Sequence, residues 1–275
     1  MSINTFVAML AGFGMFVAAV IFSTDNYVVF VSIPSLVLVL GGTLAATFIG
    51  YEYRYVIQAL KNIGSTFAIH KMGRATLNVE IGRIIQWGYL VQKDGVLAPE
   101  AQAKKIPGWD GGFIRFGVEL ILSNYDGAEV KRILGNTVES TFERRLVPVK
   151  ILRAMSAAAP AFGMIGTLIG LVIMLDKMGE GPSSLGKGLA VALITTLYGV
   201  VFSRLIFGPA ASKLQQREEI ERFRGYMIAE GLSMVADKAS PRHIQDRMNS
   251  YLDPSIRFDI DKQLKSGGAP AKAAA

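Results

Sequence analysis

Charged residues are absent from Ile3 to Phe22, appear once at Asp25, and do not return until Glu52. A helix rises about 1.5 Å per residue, so some 20 residues cover roughly 30 Å, one hydrocarbon core. The pattern therefore predicts a first membrane span over Ile3–Phe22 and a second over Val28–Ile49, with Ser23–Tyr27 turning between them. The start Met-Ser-Ile-Asn-Thr has no basic n-region, and no small-x-small site follows the apolar run, so the first segment reads as a retained span rather than a signal peptide. Ala154–Leu175 is again free of charge, as is Gly188–Ser203; Arg204 then interrupts before apolar residues resume over Leu205–Ala211. An Arg at a helix end reaches the headgroups at little cost, so these segments predict spans three and four, the fourth closing near Pro209.

Between the two apolar pairs, charges recur every few residues with helical periodicity. Leu77, Ile81, Ile84, Ile85, Tyr89 and Leu90 share a face, with Glu80, Arg83 and Lys93 between them, up to the turn pair Asp94-Gly95. Pro99 suits the first turn of a short helix in which Glu100 and Lys104 are an i,i+4 pair. Phe113–Leu122 predicts a third helix, and Asp126 with Glu129 has the form of a capping box opening a fourth that runs to Leu146. In the tail, Gln215–Val235 is helical and Ser240-Pro241 places an N-cap before a proline. The expected fold is all-α, a polytopic membrane protein with four transmembrane helices and a helical cytoplasmic domain. Its expected division is a hairpin over 1–50, a cytoplasmic domain over 51–150, a second hairpin over 151–211 and a cytoplasmic tail over 212–275. The Gly/Pro/Ala/Lys stretch Ser266–Ala275 has the composition of a disordered end.

Composition adds two restrictions. Of 275 residues 19% are charged, below the roughly 25% of soluble domains, which agrees with the spans. Cysteine is absent and His occurs twice, which excludes disulfide scaffolds, thiolate catalysis and Cys/His metal sites. The net charge of +7 raises nucleic acid as a partner, but 27 of the 29 Lys and Arg residues fall in the insertion and tail with their flanks. The positive-inside rule then places both termini, the insertion and the tail in the cytoplasm, and topology alone accounts for the charge.

The spans hold no carboxylate and no His. Proteins that move cations usually bury such a group, so either this chain moves none or a partner supplies it. Span three contains Gly163, Gly166, Thr167 and Gly170 near one face; span four contains Thr195, Thr196, Tyr198 and Gly199. Counted from the outer ends, Thr167 and Thr195 each lie eight residues deep, roughly 12 Å. Hydroxyls facing one another at one depth could line an ion path, although small-residue stripes are also ordinary helix packing in membranes. Pro160 and Pro209, near the inner ends of spans three and four, could be hinges or could simply end the helices.

Pro-Ala-Phe-Gly-Met-Ile-Gly-Thr-Leu-Ile-Gly-Leu at Pro160–Leu171 and Ala-Val-Ala-Leu-Ile-Thr-Thr-Leu-Tyr-Gly at Ala190–Gly199 closely resemble the MotA/PomA stator subunits of the flagellar motor, within the MotA/TolQ/ExbB proton channel family. Ser35–Thr43, with its Gly-Gly-Thr, and Ser240–Ile244 extend the resemblance over nearly the whole chain. It implies a homo-oligomeric ring of five subunits in the bacterial inner membrane around a single-span MotB/PomB-type partner, whose Asp binds the driving ion. It also implies a push on the rotor protein FliG. By the same resemblance Thr167, Thr195 and Thr196 are ion-path hydroxyls of the sodium-driven type, and Pro160 and Pro209 are the family's two prolines. Proton-driven members commonly carry Ala where Thr195 stands, so the implied transported ion is Na+, with H+ the alternative. Lys93 and Glu100 match the rotor-facing charges, but Gln92 stands where an Arg is expected, and Ala101 and Ala103 stand where further acids can occur. Lys104 and Lys105 are other candidates for that interface; solvated surface charge is the plainer reading of Lys93 and Glu100.

The competing function is an ExbB/TolQ-type energiser of an outer-membrane system, against which the amino-terminal hairpin argues, since such members generally have three spans. A non-conducting membrane scaffold is a third class. No nucleophile–base pair, phosphate loop or resident metal cluster is visible, so neither an enzyme nor a cofactor is expected.

Overall fold

The structure, a computed structural model, describes residues 3–25, 27–66, 74–95, 97–104, 106, 108–180, 182–252, 254, 257 and 259; the expected disordered end at Ser266–Ala275 and Lys105 lie outside them. Every regular element among these residues is helical. The chain is an all-α polytopic membrane protein, in two compact units: Met1–Lys71 with Arg145–Glu218, and Met72–Arg144 with Glu219–Ala275.

In the first unit α1 covers Ile3–Ser23. A single 3-10 turn, Tyr27–Phe30, follows, and the next helix opens at Ile33 rather than at Val28, where hydropathy alone starts it. The reason is local. Ser32 is extended and its hydroxyl accepts the Ser35 N–H, while Pro34 occupies a first-turn position where no backbone donor is needed. This helix is α2 (Ile33–Leu36), continued through a π-helical turn at Val37–Gly41 into α3 (Gly42–Gly50). After α3 comes α4 (Tyr53–Thr66), which buries Val56 and Ala59 and leaves Tyr53, Tyr55 and Ile57 exposed.

The helix capped at Asp126 does not stop near Leu146. It runs without interruption as α8, Gly127–Asp176, through Pro148 and Pro160. After a 3-10 turn at Met178–Glu180, α9 covers Pro182–Val201, a second π-helical turn covers Phe202–Phe207, and α10 covers Gly208–Ala236. Pro209 therefore ends no helix: it is the second residue of α10, where a missing N–H is tolerated because the π turn has already shifted the bonding by one residue. Among the described residues three stretches are long and apolar enough to cross a membrane, Ile33–Gly50, Gly127–Asp176 and Gly188–Ala236, with Ala11–Ser23 a shorter apolar helix.

The core of the first unit gathers Val39, Val56, Ile151, Leu152, Met155, Ala159, Phe207 and Leu214. Large apolar side chains nonetheless remain uncovered: Met164, Leu168, Val172 and Leu175 on α8 are each at least 60% exposed. A stripe of that width in one chain is suited to lipid or to other subunits.

The second unit packs α5 (Arg74–Asp94), α6 (Ala98–Ala103), α7 (Gly108–Leu122) and α11 (Pro241–Asn249) with parts of α8 and α10. Its core includes Ile81, Trp87, Phe113, Val118, Leu134, Met227, Leu232, Ile244 and Met248. The expected turn after α5 is present, with Gly95 at φ +84° in the left-handed region. So are the cap from Asp126 Oδ1 to the Glu129 N–H at 2.7 Å and the cap from Ser240 to His243 N–H at 3.3 Å. Glu129 does not complete the capping box; it binds Arg132 instead. Inside this core Arg224 donates from Nε to Glu80 Oε2 at 2.7 Å and from Nη2 to Glu80 Oε1, both side chains being almost fully buried.

Candidate functional site in the membrane unit

Where α8 meets α9 the backbones come close because glycine lines the seam. A Cβ on Gly163 would press on the Thr196 backbone, and one on Gly170 or Gly199 would overlap the facing carbonyls or amides. Close approach puts polar groups of the two helices within reach of each other. Thr167 Oγ1 shares a hydrogen bond with Thr196 Oγ1 and lies 3.2 Å from both Gly163 O and Ala192 O; Thr196 Oγ1 lies 3.3 Å from Gly163 O. Two hydroxyls and two carbonyls thus converge, and both threonines are partly exposed. No Asp or Glu lies anywhere in Tyr27–Gly50, Ala154–Leu175 or Gly188–Ala211.

Thr195 has a different environment from its neighbour. It is fully buried, its hydroxyl donates to Val191 O at 2.5 Å and lies 3.0 Å from Ser35 Oγ, and it packs where Gly166 leaves room for it. The structure therefore divides the three expected hydroxyls, pairing Thr167 with Thr196 and turning Thr195 toward α2. Ser35 in turn bonds Ser32 at 2.9 Å. Tyr198 donates to Phe30 O at 2.6 Å and accepts the Ser32 N–H at 3.1 Å, so the backbone groups left open where α2 begins are satisfied by α9. Sequence periodicity shows none of these serines as special, because their partners lie some 160 residues away.

A second polar crossing lies further along the same seam. Ser203 Oγ donates to Ser156 O at 2.7 Å, and Ser156 Oγ lies 3.1 Å from both Ser203 O and Ser203 Oγ. Pro160, half-buried, stands four residues after Ser156; Pro209, exposed, follows the π turn that contains Ser203. Arg204, in that turn, is exposed.

The expected rotor-facing charges lie in the second unit. Lys93 is exposed in the last turn of α5, while Glu100, in the first turn of α6, pairs with Lys104 at 2.6 Å rather than standing free. Trp87 Nε1 donates to Gln102 Oε1 at 2.9 Å, and Pro99 and Ala103 are buried, so α6 is anchored on α5. Gln92 reaches Ala239 O at 3.5 Å. Elsewhere in this unit Glu230 receives both Lys131 and Arg247, at 2.6 and 2.7 Å. Burial pushes its carboxyl up, but the two cations outweigh it and hold the group below its ordinary 4.5. Among the described residues no group of His, Asp and Glu could hold a metal ion.

The profile of the MotA/TolQ/ExbB proton channel family matches residues 107–225. Chemotaxis protein PomA of Vibrio alginolyticus is 30% identical over 263 residues, covering 95% of this chain and 100% of that protein. Motility protein A of Cereibacter sphaeroides is 32% identical over 253 residues, 92% of this chain and 96% of that one. Among solved structures, the C. jejuni MotAB structure superposes with a TM-score of 0.83 at 19% identity, covering 94% of this chain and 100% of the other. The flagellar MotAB stator complex of Bacillus subtilis gives 0.80 at 20% identity, covering 96% and 98%.

Proposed function

The chain belongs to the MotA/TolQ/ExbB proton channel family, and on that premise we propose that it is a flagellar motor stator subunit. With a MotB/PomB-type single-span partner it forms a cation channel in the bacterial inner membrane and turns ion flow into torque. The supporting observation is the Thr167–Thr196 pair with the Gly163 and Ala192 carbonyls, partly exposed in spans that carry no acid. Hydroxyl and carbonyl dipoles can replace part of the hydration shell of a cation, but they do not neutralise it. The negative charge must come from another chain, and an Asp of the partner's span meets that need.

Of the two ions, Na+ is favoured. Neutral oxygens gathered at one point suit a metal cation, whereas a proton needs only a titrating group and a hydrogen-bonded path. Thr195, buried on Ser35, supports the pair from behind by holding α2 against α9. Pro160 and Pro209 are hinge positions within continuous helices, and Lys93 and Glu100 steer the contact with the rotor protein FliG. Four spans, both termini in the cytoplasm and a ring of five copies complete the reading. The positive-inside bias and the uncovered α8 stripe support it. An ExbB/TolQ-type energiser is disfavoured because the motility relatives match almost the entire chain, the amino-terminal hairpin included.

The test is swimming speed in cells carrying this subunit with its partner, measured as external sodium varies at constant pH and membrane potential. Speed should rise with sodium and saturate, and Thr196→Ala should stop motility while the complex still assembles. Insensitivity to sodium would reject that ion; normal swimming of Thr196→Ala would reject the ion path itself.

A further inference from the structure

A proline inside a helix leaves the carbonyl four residues earlier without its donor. In α8 that carbonyl belongs to Ser156, and the donor it receives instead is the Ser203 hydroxyl from the facing helix, at 2.7 Å. The reverse bond, from Ser156 Oγ to Ser203 O at 3.1 Å, is supplementary, because Ser203 O already accepts the Gly208 N–H across the π turn. The two serines look symmetrical but their duties are unequal.

Their placement ties them to the ion path. Ser203 lies seven residues after Thr196, and Ser156 seven residues before Gly163, whose carbonyl faces the Thr196 hydroxyl at 3.3 Å. Two helical turns separate the crossings on both helices, roughly 10 Å. A slip of one residue at the serines would move Thr196 by about 1.5 Å and swing it by about 100° relative to Thr167.

We propose that Ser203 is a positioning residue for the ion path: it replaces the backbone donor that Pro160 lacks, and so fixes the register in which Thr196 meets Thr167 and Gly163. The inference rests on the stator reading for its functional half. Its structural half, that Ser203 and Pro160 are coupled, stands independently.

Both halves are tested in the complex of the full chain with its single-span partner. Ser203→Ala should lower the apparent melting temperature of the purified complex, and adding Pro160→Ala should restore it, because residue 160 then has an N–H to give Ser156 O. In swimming cells, Ser203→Ala should raise the half-saturating sodium concentration by about five- to tenfold, in keeping with one buried acceptor left unpaired. Speed at saturating sodium should fall much less. Ser203→Thr, which keeps the hydroxyl, should stay close to the unmodified protein, and Ser156→Ala should shift the curve less than Ser203→Ala. An unchanged melting temperature in Ser203→Ala, or no recovery with Pro160→Ala, would overturn the coupling. A sodium curve unmoved by Ser203→Ala, or moved as far by Ser203→Thr, would overturn the positioning role. If motility of the unmodified complex is insensitive to sodium, the Na+ assignment fails and with it the positioning role as stated; if the complex drives no motility at all, the stator reading fails. In either case the melting comparison still decides the coupling.

Discussion

Removing Glu80 isolates a buried charge whose partner is already known. Arg224 and Glu80 are 6% and 4% exposed, and two of the guanidinium's donors go to that one carboxylate. Glu221 Oε2 lies 3.5 Å from Nη1. Glu80→Ala therefore removes the carboxylate that takes two hydrogen bonds from a buried cation, and breaking such a pair from one side destabilises by about 3–5 kcal/mol. At about 1.4 kcal/mol per factor of ten, core amides that exchange only when the second unit opens should exchange roughly two to three and a half orders of magnitude faster. Hydrogen exchange on the full-length protein, read over Trp87–Val91 and Met227–Leu232, measures this directly. Replacing both partners, Glu80→Leu with Arg224→Leu, removes the buried cation as well and should recover at least a factor of ten, since apolar replacement of a buried pair is often neutral or better. If the single substitution accelerates exchange less than tenfold, or the double is no slower than the single, the pair is not buried in the sense that the geometry requires.

Three further outcomes are expected. Gly166→Ala places a methyl inside contact distance of Thr195 Cγ2, Cβ and Oγ1, so overpacking of about 1–3 kcal/mol should lower the thermal midpoint of the complex; Gly64→Ala, an exposed helical position whose added Cβ meets nothing within 4 Å, should not lower it. Because the folded state holds the Glu230 carboxyl below its ordinary 4.5, the Lys131 and Arg247 pairing stabilises fully above that value and is lost as pH falls through the lowered one. Glu230→Gln should thus reduce melting temperature at pH 7 and flatten its decline toward pH 3; an equal deficit at both pH values would contradict this. Lys93→Glu combined with Glu100→Lys should lower stall torque without changing the sodium dependence of speed, and unchanged torque would remove these residues from the rotor contact.

Local sequence signals located most helices. The Asp94-Gly95 turn, the Asp126 and Ser240 caps and the Glu100–Lys104 pair involve residues a few positions apart, and each is found where spacing placed it. Helix ends went less well where a proline was the signal. Pro209 reads as a stop because it cannot donate, yet the chain continues by inserting a π turn beforehand. Hydropathy likewise starts the second span at Val28, while the helix waits for the Ser32 cap, because hydropathy measures solvation and not backbone bonding.

The sequence by itself determined that the chain is helical, enters a membrane, gathers its cations outside the apolar segments and holds no acid within them, since these depend on composition and short-range periodicity. It also marked Thr167, Thr195 and Thr196 as a set of hydroxyls. Only the tertiary structure decided which of them meet: a rotation of 100° per residue separates Thr195 from Thr196, so one turns to Ser35 and the other to Thr167. The same holds for Ser203 and the Pro160 turn, joined across 47 residues. An unpaired carbonyl is visible in the sequence as a proline; the donor that satisfies it is fixed only when glycine seams bring two helices together.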